Sequence, residues 1–293
     1  MPVDTLEVVP RLIVNADDFG LTAGVNRAVV ELHQAGLLTS ATLMARAAAT
    51  DEAVELARQN PALGVGCHVV LVDGDPMLSP ANQIPHLADL VTGLFRPTLG
   101  AFLKPLLLGR IPSVEIEAEA RAQIESLRQK GLVLDHIDTH KHVHMFPSVL
   151  RPVLRAAKAC GIRRVRNPFE PAWSARATAG APLVRRIEVA LLHTLEKKFL
   201  RTVAEEDFQT TAGALGVLAT GTLDPATIAA LVTAAAAHSE EKIFELVAHP
   251  GYNDADLARV RTRLRESRDR ERQALQALRQ FPSVELIPFS GLV

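Results

Sequence analysis

Residues 11–32 read RLIVNADDFGLTAGVNRAVVEL. Arg11 to Ala16 is a short apolar run, Asp17–Gly20 reads as a turn, and Thr22 is placed to cap a helix whose apolar face holds Val25, Ala28, Val29 and Leu32. The same strand, turn and helix recur along the chain. Thr39–Met44 precedes a helix from about Asp51, Gly64–Leu71 follows, and Val133–Thr139 precedes a helix from Pro147. Then come Arg163–Arg166, Ala214–Leu218 with a helix after Asp224, Ile243–Ala248 with a long charged helix, and Val284–Ile287. Apolar runs alternating with amphipathic helices predict a parallel α/β sheet covered by helices. Seven or eight such units in 293 residues favour a closed or nearly closed barrel over an open doubly wound sheet.

Two stretches interrupt the rhythm. Residues 73–113 carry Pro76, Pro80, Pro85, Pro97, Pro105 and Pro112, and residues 168–212 carry Pro168, Pro171 and Pro182 ahead of an amphipathic stretch around Leu183–Leu200. Both read as insertions in one domain spanning 1–293, because no Ser/Gly-rich linker separates the units. With 48% hydrophobic and 22% charged residues, a disordered or fibrous chain is excluded. Lys and Arg total 32 against 33 Asp and Glu, so no global field attracts nucleic acid. Cys67 and Cys160 lack the spacing of a zinc ribbon or redox pair and suit a reducing compartment. Neither a secretory leader nor a long uninterrupted apolar span is legible, and a cytoplasmic location is expected.

Candidate chemistry gathers at predicted strand ends. Asp17 and Asp18 are adjacent carboxylates that repel unless a cation or proton lies between them, although a helix-capping turn is the competing reading. In Asp138-Thr139-His140-Lys141-His142-Val143-His144, three histidines alternate behind an aspartate. On an extended backbone, period-two spacing would turn all three imidazoles to one side, where they suit a borderline divalent ion. His68 interrupts an apolar strand, a position that a core histidine could also fill. Arg166 and His249 follow later strands and could equally be an ion-pair and a turn residue. A parallel barrel would bring all these strand ends to one mouth.

Together, the Asn15-Ala16-Asp17-Asp18-Phe19-Gly20 opening, the strand with His68 and Leu71, the run from Asp138 through His144 to Met145-Phe146-Pro147, and the His249-Pro250-Gly251 turn resemble the YdjC-like carbohydrate deacetylases. That group includes the chitooligosaccharide deacetylases, and the chain is most similar to the hopanoid biosynthesis-associated branch. The resemblance implies an irregular (β/α) barrel of the glycoside hydrolase/deacetylase type and one divalent metal, zinc or magnesium, held by Asp18, His68 and His140. It implies an N-acetylated sugar or glycolipid as substrate. In such a site Asp17 would be the general base and His249 the general acid, with Asp138, His142, His144 and Arg166 orienting ligands or substrate. The two aspartates could exchange roles under a small backbone rotation.

Rival functions are a metal-dependent phosphoesterase, disfavoured because no Gly-rich phosphate cradle is present, and a non-catalytic sugar-binding barrel. One Trp and one Tyr leave little on which to stack successive sugar rings, which disfavours a long oligosaccharide groove. Residues 94–110 combine large apolar side chains with Arg96, Lys104 and Arg110 and no acid. That composition suits a peripheral membrane contact, a cover for a lipid tail, packing on the barrel or a homodimer interface.

Overall fold

A computed structural model describes residues 10–178, 180–238 and 242–292. Nine strands form one parallel sheet: β1 (Arg11–Phe19), β2 (Ser40–Leu43), β3 (Gly64–Val69), β4 (His136–Thr139), β5 (Arg164–Val165), β6 (Gln209–Thr210), β7 (Ala214–Leu215), β8 (Phe244–Ala248) and β9 (Glu285–Leu286). Their order is β6-β5-β4-β3-β2-β1-β8-β7, with β9 beside β1. Sequential neighbours with helical crossovers are what a (β/α) barrel requires. The ladder ends at β6 and β7, and no pairing joins those two among the described residues, so the sheet curls into an incomplete barrel.

Strand pleating explains how fully buried strands divide their side chains. Leu12, Val14 and Ala16 of β1 belong to the large core between sheet and helices. Ile13, pointing the other way, joins Ile243, Ile287, Phe289 and Leu292 in a separate apolar cluster inside the barrel. β8 repeats the pattern, with Phe244, Leu246 and Ala248 in the outer core and Glu245 and Val247 turned inward. The expected caps form: the Thr22 side chain accepts from Val25 N at 3.2 Å, and Asp224 accepts from Thr227 N at 2.8 Å at the start of the helix Pro225–Ala237.

Three local expectations change. The chain does not turn at Asp17, because β1 continues through Phe19. The expected long charged helix divides into Ala255–Arg259 and Arg265–Ala274, followed by a short 3-10 segment. Gln209–Thr210, within the stretch expected as an insertion, pairs with β5. The Pro-rich stretch after β3 carries the helix Leu99–Leu107 and is pinned by polar side chains of the helix Ser113–Gln129. Glu119 accepts from Met77 N and Leu78 N, Glu115 from His86 N and Leu87 N, and Gln123 exchanges bonds with both Val70 N and Val70 O. No described helix is long and apolar enough to cross a membrane.

Candidate active site

Successive strand residues face opposite ways, yet Asp17 and Asp18 both end buried beside the histidines. The cause is local. Asp18 has φ +66°, and the β1–β2 register shifts between Ala16 and Phe19, so the backbone rotates at that residue. Aspartate tolerates the left-handed region better than most residues. Gly20, with φ +95°, completes the bend, and its N–H donates to Asn26 Oδ1 at 2.8 Å.

The two carboxylates then receive separate partners. Arg166 Nη2 donates to Asp17 Oδ1 at 2.6 Å and its Nη1 to Oδ2 at 2.9 Å; Asn15 Nδ2 adds a 3.0 Å bond to Oδ1. The same guanidinium reaches Asp138 and donates twice to Glu245, at 2.8 and 2.6 Å. Burial opposes ionisation of Asp17, but Arg166, with His68 and His249, outweighs it and holds the carboxyl well below its usual range. Asp18 instead accepts from Arg268 Nη2 on Oδ2. Its other oxygen, Oδ1, is buried without a hydrogen-bond partner among the described residues.

That orphaned oxygen lies 3.4 Å from His68 Nε2 and 3.4 Å from His140 Nδ1, and the two nitrogens are 3.3 Å apart. Behind His68, Asp138 Oδ1 sits 2.7 Å from Nδ1. A neutral His68 donating Nδ1–H to Asp138 turns the Nε2 lone pair into the triangle. Burial lowers the affinity of His68 for a proton, but Asp138, Asp18 and Asp17 carry its pKa up to about 10. The pocket thus stabilises positive charge at this point, as a proton or as a cation.

The expected row of three imidazoles does not form. Residues His140–Met145 make a 3-10 segment in which Lys141 and His142 take φ +56° and +52°, so alternate residues no longer share a side. Lys141 is held by Asp73 Oδ2 at 2.6 Å. His140 turns to Asp18. His144 is buried against the wall, 2.7 Å from Thr139 Oγ1 and 3.2 Å from the Arg166 carbonyl. His142 Nδ1 is buried with no partner among the described residues, and burial, reinforced by Arg166, lowers its pKa to about 3.

His249 Nε2 is 3.7 Å from Asp17 Oδ2. Glu271 accepts from His249 N at 2.6 Å and lies 3.7 Å from Nδ1. Burial pulls His249 down, yet Glu271, Asp17 and Asp18 raise its pKa above the ordinary histidine value.

These residues fit a divalent cation. Three donors 3.3–3.4 Å apart are spaced as on one face of a tetrahedron, whose edges are about 3.3–3.4 Å for bonds of about 2.0–2.1 Å. Asp17, His68 and Asp138 also converge, but Arg166 already supplies the positive charge between those carboxylates. Five buried carboxylates, Asp17, Asp18, Asp138, Glu245 and Glu271, surround two buried guanidiniums, Arg166 and Arg268, a deficit that a divalent ion and a protonated His249 would offset.

Arg268, Glu271 and Glu245 were not legible as site residues, though each left a trace. A glutamate inside the apolar run Phe244–Ala248 has to find a buried partner. The helix Arg265–Ala274 covers the barrel with almost no apolar residue, so its inward face has to be polar; it buries Ser267, Arg268, Glu271 and Ala274.

Known proteins resemble this chain in sequence and in fold. The chain is 45% identical over 148 residues to a carbohydrate deacetylase of Brevibacillus brevis, covering 50% of this chain and 56% of that protein. It is 38% identical over 152 residues to a chitooligosaccharide deacetylase of Salmonella paratyphi B, covering 52% and 57%. The chain thus spans somewhat over half the length of these relatives. A crystal structure from Enterococcus faecalis, provisionally described as a cellobiose-phosphate cleavage protein, superposes with TM-score 0.73 at 27% identity, covering 95% of this chain and 97% of that one. The family description "YdjC-like protein" matches residues 11–280, a span that runs from β1 past Arg268 and Glu271, and the chain belongs to that family.

Proposed function

We propose that this protein is a metal-dependent hydrolase that removes the N-acetyl group from an N-acetylglucosamine-containing substrate. The observation that carries this reading is the orphaned Asp18 Oδ1 in a triangle with His68 Nε2 and His140 Nδ1, with Asp17, next in the chain, 3.7 Å from His249 Nε2. A divalent cation held by Asp18, His68 and His140 would polarise the amide carbonyl and acidify a water. Asp17, ionised by its Arg166 pair, accepts the proton of the attacking water. The water oxygen bonds to the acetyl carbon, and the C–N bond breaks as protonated His249 donates to the departing amine. Acetate and a free amino sugar result. Asp138 fixes the His68 ring, Arg166 fixes Asp17, and His144 fixes the Arg166 backbone.

The finer reading is a hopanoid-linked glycolipid. Leu94, Leu99, Leu107 and Leu108 are exposed beside Lys104 and Arg110 in the stretch that follows β3, a composition that suits a lipid tail or an anionic membrane surface. Phe102, in the same helix, is fully buried and takes no part in that face. A soluble chitooligosaccharide is the second reading, favoured by the name of the Salmonella relative. Incubating purified enzyme with N,N′-diacetylchitobiose, a lipid-linked N-acetylglucosaminide and a sugar phosphate, with and without chelator, tests both. Chelator-sensitive acetate release supports deacetylation, and preference for the lipid-linked substrate supports the glycolipid. Phosphate release, or no release, overturns the proposal.

A further inference from the structure

We propose that Arg268 is a positioning residue that confines Asp18 to a single ligating oxygen. The inference rests on the reading that Asp18, His68 and His140 hold a divalent cation. A carboxylate left to itself can offer a cation one oxygen or two. Here the two oxygens of Asp18 are already distinguished: Oδ2 accepts from Arg268 Nη2, while Oδ1 has no hydrogen-bond partner among the described residues and lies 3.4 Å from both imidazoles.

The arginine is committed to this one acceptor. It is 1% exposed, and its Nε and Nη1 find no acceptor, so among the described residues Asp18 is the only carboxylate paired with this guanidinium. Losing that bond would leave the charge uncompensated, which disfavours any Asp18 rotamer that turns Oδ2 toward the cation. Nor can the arginine follow such a turn. Its carbonyl accepts from Gly251 N at 3.2 Å, and its stem packs so closely on Gly251 that a Cβ there would come within 3.1 Å of Arg268 Cδ. Asp18 is itself fixed by its left-handed backbone. Holding Oδ2 away keeps coordination positions open for the water and the amide oxygen that hydrolysis needs.

The test uses Co(II) as the probe, with wild type, Arg268→Met and Arg268→Gln. Circular dichroism and thermal melts of the metal-free proteins report folding, and titration reports Co(II) stoichiometry. The visible absorption of bound Co(II) reports coordination, since its bands weaken as ligand number rises. The expected result is folded variants that bind one Co(II) with weaker visible bands, and with kcat lowered roughly 10–100-fold while KM changes little. Glutamine, which retains one donor, should fall between methionine and wild type. Spectra identical to wild type in both variants would overturn the inference, as would failure of both metal-free variants to fold, which assigns Arg268 a structural role alone. If wild type takes up no Co(II), or His68→Ala binds it equally well, the metal site itself fails and this inference falls with it.

Discussion

Asp17 and Asp18 are neighbours with opposite surroundings, and that difference supports the separate roles proposed for them. Both Asp17 oxygens are occupied by Arg166, whereas Asp18 keeps one oxygen bare beside two imidazoles. Asp17→Asn should therefore retain stoichiometric metal while kcat falls by about 10²–10⁴, the range for losing a general base. Metal analysis beside steady-state kinetics checks this, and a metal-free variant would make Asp17 the ligand. His249 gives a pH signature. Because Glu271 and the two aspartates raise its pKa, the protonated acid persists above the ordinary histidine range, and kcat/KM should decline on the alkaline side only as pH rises through that raised value. Glu271→Gln removes one raising charge, so the alkaline limb should move to lower pH; a limb that stays in place would show that His249 is not the titrating acid. The roles of Asp17 and Asp18 were left open by the sequence because adjacent residues look equivalent until a positive φ at one of them decides which way it turns.

At the level of elements, eight of the nine strands were legible, the Arg-rich β5 among them, and only β6 was not. β1, β3 and β8 stand out as apolar stretches, whereas Gln209–Thr210 is two polar residues recognisable only from its pairing with β5. The histidine run misled for a related reason: alternation implies a shared face only on an extended backbone, and nothing in Lys141-His142 announces two consecutive left-handed residues. Close strand approach makes a prediction at Gly66. A Cβ there would lie 2.5 Å from the His136 ring, which is itself stacked on Phe289 at 3.8 Å between centroids. Gly66→Ala should cost ~1–3 kcal/mol by overpacking, measured by denaturant unfolding; a neutral result would show that the His136 ring moves freely. The helix Leu99–Leu107 gives a paired test. Phe102→Asp places a charge in the core and should abolish soluble, folded protein, whereas Leu107→Asp, at a site 71% exposed, should leave the melting temperature nearly unchanged.

Across the whole molecule, curling of the sheet is what makes a site from scattered residues. Arg166, just after β5, touches Asp17 of β1, Asp138 of β4 and Glu245 of β8, contacts that a flat sheet in this strand order would not allow. The alternation of strands and helices made the barrel and its mouth legible, and with them the convergence of Asp17, Asp18, His68, His140, Arg166 and His249; the narrower set Asp18, His68 and His140 came from the family resemblance. The charge balance behind the mouth was hidden, since Arg268 and Glu271 lie in a helix that reads as a solvated charge run. The same balance leads to the most direct test of the account. Metal content should be measured after equilibrium dialysis against a divalent ion for wild type, His68→Ala and His140→Ala, with folding verified for each. One ion per wild-type chain is expected, with loss of that ion, together with acetate release, in both folded variants. A stoichiometric ion in either variant with wild-type activity would contradict it.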